Sequence, residues 1–485
     1  MAGIGLKHKK STLGIAAFCA LLLLTSCGYD ELRYPEEVDM SQMHHGAEHG
    51  DASHPIAGES TAAISCTELK EVKPAVGEQV RSFDLTAANT VLNLDNGKKT
   101  EAWTFNGTSP GPELRVKEGE RVKVTLTNRD IDEGVTIHWH GVILPCSQDG
   151  VAGVTQDAIG PGEHFTYEFI ARHPGTYWYH SHQQSSVQAG KGLIGRLIVE
   201  PKQSDFTYDR DYAVTLQLLN EKLKLTNGHT DGLQLDAAPG ESIRLRLINA
   251  YSEVQWIGVA GADFRVISID GQDLNGPGKL RGQWIPIGGG QRYDVLITMP
   301  SSGQVKVYSK EHKAWNIRLG KGPTPNPLSK DAPQFDFTDY GTPLEDGITA
   351  DMKFDRVYDL KLGILDINGK KFHEIPPLLV KEGEWIKIRF KHTFGGPHPM
   401  HLHGHLFKIL TKNGKPLTGS PIYADSVLLF SGEEYEVAFQ ADNPGLWMEH
   451  CHNLGHAANG MTMMVNYEGL TTPYRVGTKS GNLPD

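Results

Sequence analysis

Residues 450–461 read HCHNLGHAANGM, from His450 to Met461. This stretch holds three imidazoles, one thiol and one thioether. Two imidazoles, a thiolate and a weak thioether form the ligand set of a blue-copper electron-transfer site. Side chains at i and i+2 of a β-strand share one face, so Cys451 would face one metal while His450 and His452 face another. The stretch therefore predicts a strand that connects two metal sites.

An internal repeat surrounds this stretch. Residues 378–384 read LLVKEGE, residues 114–120 read LRVKEGE, and an alternating polar and apolar run follows each of them. A fainter copy begins at Leu235. Each copy is typical of a turn that leads into a half-buried strand, and many short strands with Gly and Pro turns form sandwiches. The predicted β-sandwich domains span about 78–200, 205–345 and 350–485.

The repeat also separates the metal-binding copies from the middle copy. Gly175 and Gly445 each precede an HxH triplet by five positions, which is HSH at 180–182 and HCH at 450–452. The corresponding triplet of the middle copy is YSK, at 308–310. Only the third domain can therefore supply the thiolate, and the middle domain supplies no ligand at these positions.

Composition limits the class of protein. The chain has 485 residues, 39% hydrophobic residues and 54 glycines, which suits globular β-rich domains and not a membrane bundle. Its net charge is −11, and no basic cluster follows the first ten residues. We therefore expect no nucleic-acid partner.

The N-terminus predicts export. A lysine-containing segment precedes the apolar run 13–24, which is too short to span a bilayer. The run ends in LTSC, at 24–27, which resembles a bacterial lipobox with Cys27 as the lipidated residue. A plain secretory signal over residues 1–27 is the alternative. The only membrane contact expected is this lipid anchor.

Residues 28–77 are predicted to form a flexible tether. The stretch 43–50, MHHGAEHG, is small, polar and without periodicity. Once the other cysteines are assigned to the signal and to the metal motif, Cys66 and Cys146 remain. An exported protein can pair such cysteines in a disulfide, and the sequence leaves this open because it gives no distance.

Four histidine clusters occur along the chain. They are HWHG at 138–141, HSH at 180–182, HPMHLHGH at 398–405, and HCH at 450–452 with His456. Imidazole suits several transition metals, but a thiolate beside two imidazoles and a thioether indicates copper. Clusters at repeat-equivalent positions indicate metal sites more strongly than any single HxH pair.

In these four motifs and their order, residues 78–470 resemble the three-domain multicopper oxidases of the laccase-like group. The resemblance implies an all-β fold of three consecutive cupredoxin-like Greek-key β-sandwich domains. It also implies four copper ions. The type 1 ligands would be His398, Cys451 and His456, with Met461 axial. The type 2 ligands would be His138 and His401. The two type 3 ions would share His140, His180, His182, His403, His450 and His452.

The resemblance further implies a reaction. A reductant would give single electrons to the type 1 copper, and Cys451 would pass them towards His450 and His452 for reduction of dioxygen to water. Asp149 resembles the acid that relatives place near the cluster, and a carboxylate there can relay protons. Its alternative role is that of a turn aspartate before glycine. Several bacterial relatives have a glutamate where this chain has Ala457, so a second acid would come from elsewhere or be absent.

Two kinds of reductant fit this reaction. One is a phenol or aromatic amine, as for a laccase, and the other is Cu(I), Fe(II) or Mn(II), as for a metallo-oxidase. The ten methionines form no methionine-rich insertion, which favours the organic reductant, whereas the histidine-containing tether and lipid anchor favour the metal ion. A non-catalytic electron carrier would need only one copper site. We expect the enzyme to act as a monomer.

Overall fold

The computed structural model describes residues 34–42, 63–73 and 79–485. The predicted export signal with Cys27 and the histidine-containing stretch 43–50 lie outside these residues. Among the described residues, no helix has the length and apolar character that a bilayer crossing requires.

The first domain consists of two four-stranded sheets. Its strands, after a short β1 (Ile64–Ser65), are β2 (Val80–Asn93), β3 (Lys99–Phe105), β4 (Glu113–Lys117), β5 (Arg121–Asn128), β6 (His138–His140), β7 (His164–Ile170), β8 (Gly175–His180) and β9 (Ile194–Glu200). The sheet orders are β3-β2-β5-β7 and β4-β9-β8-β6. In β5, Val122, Val124 and Leu126 alternate with polar residues and are fully buried, so one face of the strand forms core. Helix α1 (Ser185–Lys191) and the 3₁₀ helix Cys146–Gln148 lie in its loops.

The middle domain has a six-stranded and a five-stranded sheet. Its strands are β10 (Arg210–Leu219), β11 (Leu223–Thr226), β12 (Leu233–Leu235), β13 (Ser242–Asn249), β14 (Gln255–Ala260), β15 (Phe264–Ile269), β16 (Gln272–Asp273), β17 (Trp284–Ile287), β18 (Arg292–Thr298), β19 (Val305–Ser309) and β20 (Asn316–Leu319). The sheet orders are β11-β10-β13-β18-β15-β16 and β12-β20-β19-β14-β17.

The third domain repeats this arrangement. Its strands are β21 (Arg356–Leu362), β22 (Leu378–Val380), β23 (Trp385–His392), β24 (His398–Leu402), β25 (Phe407–Lys412), β26 (Lys415–Pro416), β27 (Tyr423–Ala424), β28 (Ser426–Leu429), β29 (Glu434–Gln440), β30 (Leu446–Cys451), β31 (Thr462–Tyr467) and β32 (Leu470–Thr471). The orders are β21-β23-β29-β25-β26, with β27 paired to β25, and β22-β31-β30-β24-β28. A short helix, α2 (Leu454–Ala458), follows β30, and a 3₁₀ helix spans Phe372–Glu374.

One strand order occurs in all three domains. The sheets β4-β9-β8-β6, β12-β20-β19-β14 and β22-β31-β30-β24 are equivalent, and the repeated sequence turn leads from the first strand of each into β5, β13 or β23. The triplets at 180–182, 308–310 and 450–452 lie at the ends of the equivalent strands β8, β19 and β30. The prediction of an all-β fold built from repeated sandwiches is confirmed.

Two parts of the segment predicted as a flexible tether are packed on the rest of the chain. Val38 forms an antiparallel bridge with Val476, and Met40 is fully buried. Strand β1 pairs in parallel with β32. The expectation of a free tether therefore does not hold for residues 34–42 and 63–73. The sequence pattern missed this because polar segments still offer backbone N–H and C=O groups to an open strand edge.

Cys66 and Cys146, which the sequence left either paired or free, form a disulfide with their Cα atoms 5.7 Å apart. It joins the 3₁₀ helix Cys66–Glu68 to the 3₁₀ helix Cys146–Gln148. Beside it, the hydroxyl of Ser147 donates to the carbonyl of Leu69 at 2.7 Å. The disulfide thus fixes residues 63–73 on the first domain.

Candidate metal centre

Strands β6 and β8 place histidines of the first domain on one surface. In β6, His138 and His140 are buried and share a face, because alternate side chains of a strand point the same way. Trp139 lies between them and packs in the opposite direction, against Tyr167. The antiparallel pairing of β6 with β8 sets His180 opposite His138. Strand alternation therefore directs the imidazoles outward and the indole into the domain core.

Strands β24 and β30 do the same in the third domain. Across their antiparallel ladder, His401 pairs with His450 and Met400 pairs with Cys451. Directly opposed side chains share a face of the sheet, so the two histidines lie on one side and Cys451 on the other. Strand β30 therefore carries donor atoms to both of its faces.

Cys451, His398 and His456 form one group. The Sγ atom of Cys451 lies 3.5 Å from Nδ1 of His398 and 3.7 Å from Nδ1 of His456. The two Nδ1 atoms are 3.1 Å apart, so the three donors converge on one point. His456 is partly exposed, whereas His398 and Cys451 are buried. Backbone hydrogen bonds hold the buried Met461 beside Cys451 and His456.

The other eight predicted ligands form a second group. One trio is His140, His180 and His452, and the other is His182, His403 and His450. Within each trio the donor atoms lie within 4.8 Å of one another, and His138, His140 and His401 meet the same limit. Four of the eight come from the first domain and four from the third, so the group lies where these two domains meet.

In four of these histidines, a hydrogen bond holds one ring nitrogen and the other is buried without a partner: His138, His140, His180 and His401. Nδ1 of His138 lies 3.0 Å from the carbonyl of Asp149, and Nδ1 of His401 lies 2.9 Å from the carbonyl of Asp425. The Nε2 atoms of both, and of His180, are buried without a hydrogen-bond partner. Buried polar atoms are rarely left unpaired, and metal-binding histidines are oriented through their other nitrogen. The second group therefore fits bound metal ions, and the thiolate and imidazoles of the first fit copper.

Burial sets the protonation of both groups. Burial first, and then neighbouring histidines, lower the pKa of His180 and His403 well below the usual value. The same causes lower the pKa of His398 to about 3, and burial with His392 nearby lowers that of His456 to about 4. These four imidazoles are thus neutral at neutral pH and keep a lone pair for a metal. Burial raises the pKa of the Cys451 thiol, so a metal ion must displace its proton.

Asp149 lies against the second group. Its Oδ2 accepts a hydrogen bond from Nδ1 of His403 at 2.8 Å, and its Oδ1 lies 3.2 Å from Nδ1 of His138. The carboxyl group itself is buried. The preceding residue, Gln148, lines a polar pocket that opens to the surface beside Glu168. Asp149 is therefore buried against the histidines, one residue along the chain from the lining of this pocket.

Two residues of this centre belong to no sequence motif. Asp425 of the third domain is fully buried, and Nε2 of His140 donates to its Oδ1 at 3.2 Å. Arg292 of the middle domain donates to both oxygens of Asp425, at 2.8 and 2.6 Å. The two residues are 133 positions apart, and no local signal in either segment relates them.

Two further histidines touch the candidate ligands. His392, which matches no motif, packs against His398 with ring centroids 4.4 Å apart and donates to the carbonyl of Gly396. His405 is buried, with Nδ1 3.2 Å from the carbonyl of His403. Neither faces a group of donor atoms, so both support ligands and do not extend the set.

Comparison with known proteins agrees with this geometry. Three models of the multicopper oxidase family match residues 86–204, 176–312 and 337–469, which together exceed half of the chain. Multicopper oxidase MmcO of Mycobacterium tuberculosis is 28% identical, over 86% of this chain and 93% of its own length. Laccase-1 of Botryotinia fuckeliana is also 28% identical, over 81% of this chain and 83% of its own length.

A solved structure shares the fold. The crystal structure of a multi-copper oxidase from Pseudomonas thermotolerans has a TM-score of 0.67 at 29% identity, and the match covers 81% of this chain and 100% of that chain. Family, fold and donor set thus agree on a cupredoxin-type architecture that binds four copper ions. The chain belongs to the multicopper oxidases of the laccase-like group, oxidoreductases that use dioxygen as the acceptor for electrons from a reducing substrate.

Proposed function

We propose a ligand set for each copper ion. The type 1 ion would be held by His398, Cys451 and His456, with Met461 as a fourth ligand. The type 2 ion is held by His138 and His401. The type 3 ions are held by the trio His140, His180 and His452 and by the trio His182, His403 and His450. The convergence of donor atoms within 4.8 Å in each group and the unpaired buried ring nitrogens support these sets.

The position of Cys451 carries the functional proposal. It belongs to the first group, while its covalent neighbours His450 and His452 belong to the two different trios of the second. Bound copper ions supply one-electron chemistry at the first group and dioxygen reduction at the second. The chain contributes a path of a few covalent bonds between the groups, and it separates the partly exposed His456 from the buried histidines.

The proposed reductant is a phenol or an aromatic amine. His456 is the part of the first group that reaches the surface, and a β-carbon at Gly396 would lie 3.9 Å from its ring. The same loop exposes Phe394, 59% accessible, which offers an aromatic surface near the point of electron entry. The similarity to a laccase points to the same substrate class.

Charge near His456 disfavours a metal ion as reductant. Burial, and then His392, lower the pKa of His456, and no carboxylate is among the causes of this shift. Manganese and other hard cations bind through carboxylate oxygens. For the softer Cu(I), thioethers are the fitting ligands, and Met400, Met461 and Met463 are all buried.

Asp149 is the proposed proton relay. It contacts ligands of both the type 2 and type 3 sets, and its chain neighbour Gln148 borders the surface recess. Reduction of dioxygen to water consumes protons, and a buried carboxylate in this position can pass them inward from solvent.

Export, a lipid anchor at Cys27 and a monomeric state complete the proposal. The lysine-containing segment, the apolar run 13–24 and the LTSC sequence support export and lipidation. Metabolic labelling with a fatty acid would test lipidation, and a Cys27→Ala variant that is still labelled would contradict it.

Oxygen uptake tests the reductant. One preparation of copper-loaded enzyme is compared with a methoxyphenol, Fe(II), Mn(II) and Cu(I) under the same conditions. We expect the highest turnover with the phenol. Turnover with Cu(I) alone would contradict the proposed reductant and leave the ligand sets intact.

A further inference from the structure

Two carboxylates link the first and third domains at the histidine group, each across a stacked pair of rings. The rings of His138 and His403 stack with centroids 3.8 Å apart and planes inclined by 19°. Those of His140 and His401 stack at 3.7 Å and 9°. Each pair joins one proposed type 2 ligand to one type 3 ligand from the other domain, and Asp149 contacts both rings of the first pair.

Asp425 occupies the equivalent place at the second pair. Its Oδ1 accepts from Nε2 of His140 at 3.2 Å, and its main-chain oxygen accepts from Nδ1 of His401 at 2.9 Å. The bond to His140 leaves Nδ1 of that ring unpaired and buried. His138, His180 and His401 instead leave Nε2 unpaired. Asp425 therefore holds the His140 ring in a different orientation from these three, with Nδ1 and not Nε2 left to bind a metal ion.

Asp425 is held in place by an arginine of the middle domain. Asp425 is held by a fork of Arg292, whose two terminal nitrogens donate to its two oxygens at 2.8 and 2.6 Å. Nε of the same guanidinium donates to the carbonyl of Thr176 in the first domain at 2.9 Å. Paired N–H donors in one plane fix a carboxylate in position and in angle. One side chain of the middle domain thus bonds both ligand-bearing domains.

Two glycines make room for this contact. Gly141 has a φ of +83°, and a β-carbon there would overlap both Nη2 of Arg292 and Oδ2 of Asp425. Gly290 has a φ of +82°, and a β-carbon there would lie 2.8 Å from the ring of His140. Positive φ and close approach both favour glycine. The glycine that follows the HWH triplet thus admits the Arg292–Asp425 pair beside His140.

We propose that Arg292 is a positioning residue of the oxygen-reducing copper cluster: through Asp425 it holds His140 and His401 in the orientation that the type 2 and type 3 ions require. The middle domain provides no ligand, but it provides the group that orients two of them. This inference rests on the proposed ligand sets. Loss of a group that orients a metal ligand costs about 10–100-fold in metal affinity or activity.

The test compares R292M with R244M in copper-loaded enzyme. Arg244 is a matched control because it forms a buried ion pair with Asp294 inside the middle domain, at 2.7 Å. For R292M we expect a type 1 absorption like that of the wild type, a weakened or altered type 2 paramagnetic resonance signal, fewer copper ions per chain, and oxygen turnover reduced about 10–100-fold. R244M keeps the wild-type type 2 signal and copper content.

A wild-type resonance signal and copper content in R292M would overturn the proposal. D425N breaks the same contact with little change in volume and serves if R292M does not accumulate, and a wild-type type 2 signal in D425N overturns the proposal equally. Wild-type enzyme that lacks a type 2 signal after copper loading would instead contradict the proposed ligand sets. The two failures are therefore distinguishable.

Discussion

At the residue scale, one strand position holds serine in the first and middle domains and cysteine in the third. Ser181 accepts a hydrogen bond from the backbone N–H of Thr136 at 3.3 Å, and Ser309 accepts one from the N–H of His312 at 3.2 Å. Cys451 at the equivalent position faces two imidazoles instead. The hydroxyls serve local backbone structure, whereas the thiol serves a metal group that only the third domain can form.

Replacing Cys451 separates the two copper groups. Cys451→Ser is expected to lose the intense blue absorption and one copper ion per chain, because the thiolate is the distinguishing ligand of a blue-copper site and all eight histidines of the second group remain. Absorption spectroscopy and copper analysis measure the two effects. Ser181→Ala, at the equivalent position, is the control and should keep both. An intense blue band in Cys451→Ser would refute the type 1 assignment.

Asp149 should affect oxygen reduction without affecting the first group. Asp149→Asn is expected to lower oxygen turnover about 100-fold, since proton transfer by a positioned side chain contributes about 10²–10⁴-fold. Anaerobic reduction of the type 1 site by a phenol, followed by its absorption, should keep its wild-type rate. The exposed Asp132, replaced by Asn, is the control. An equal loss in anaerobic reduction would contradict a role confined to the second group.

At the element scale, strand alternation explains how much the sequence could predict. The HxH spacing in β6 and the HCH triplet at the end of β30 determine which face each side chain takes. That rule predicted a strand that faces two metal sites, and the family resemblance supplied the ligands of each. The repeated turns predicted three copies of one β-domain. The sequence could not predict two long-range contacts, the pairing of β1 with β32 and the contact of Arg292 with Asp425. The first is made by backbone groups at a strand edge and the second by single side chains, and neither leaves a periodic pattern in the sequence.

The disulfide provides an element-scale prediction. It closes a loop of 80 residues, for which chain entropy predicts a stabilisation of about 4 kcal/mol. Cys66→Ser with Cys146→Ser should therefore lower the free energy of unfolding by roughly that amount and expose residues 63–73 to proteolysis. Ser147→Ala removes only the hydrogen bond to Leu69 and should cost about 1 kcal/mol. Chemical denaturation of the copper-free wild type and of both variants measures these losses. An equal loss of unfolding free energy in the two variants would contradict the entropic account.

At the scale of the whole molecule, the three domains meet around one buried charge cluster. Arg292 of the middle domain lies between Asp425 of the third domain and Asp270 of its own domain, and it also bonds the carbonyl of Thr176 in the first. The Arg292–Asp425 contact is bidentate and short, whereas the ion pair with Asp270 measures 3.4 Å. The guanidinium charge is therefore balanced by Asp425, and Asp270 is left as a buried acid without a counter-charge of its own.

Stability should consequently depend on pH through Asp270. Burial, and then the charge of Asp425, raise the pKa of Asp270 to about 8 from an ordinary value of 3.8. Between these two pKa values the folded state binds a proton at Asp270 that the unfolded state has released. The contribution of Asp270 to the stability of the fold is therefore fully present below pH about 4 and is lost as pH rises towards 8. The free energy of unfolding should therefore fall as pH rises through that window.

Asp270→Asn should remove this loss, because the amide stays neutral and can still accept the backbone N–H of Arg292 that Asp270 accepts at 2.9 Å. The melting temperatures of wild type and variant should be closest at pH 5, and the variant's advantage should grow as pH rises to 8. Titrating histidines affect both proteins alike and cancel in the difference. Asp263→Asn, at an exposed site, should follow the wild type at every pH. If the difference in melting temperature between wild type and Asp270→Asn is constant from pH 5 to pH 8, Asp270 is ionised throughout that range. Arg292 would then balance two carboxylates at the junction of the domains instead of one.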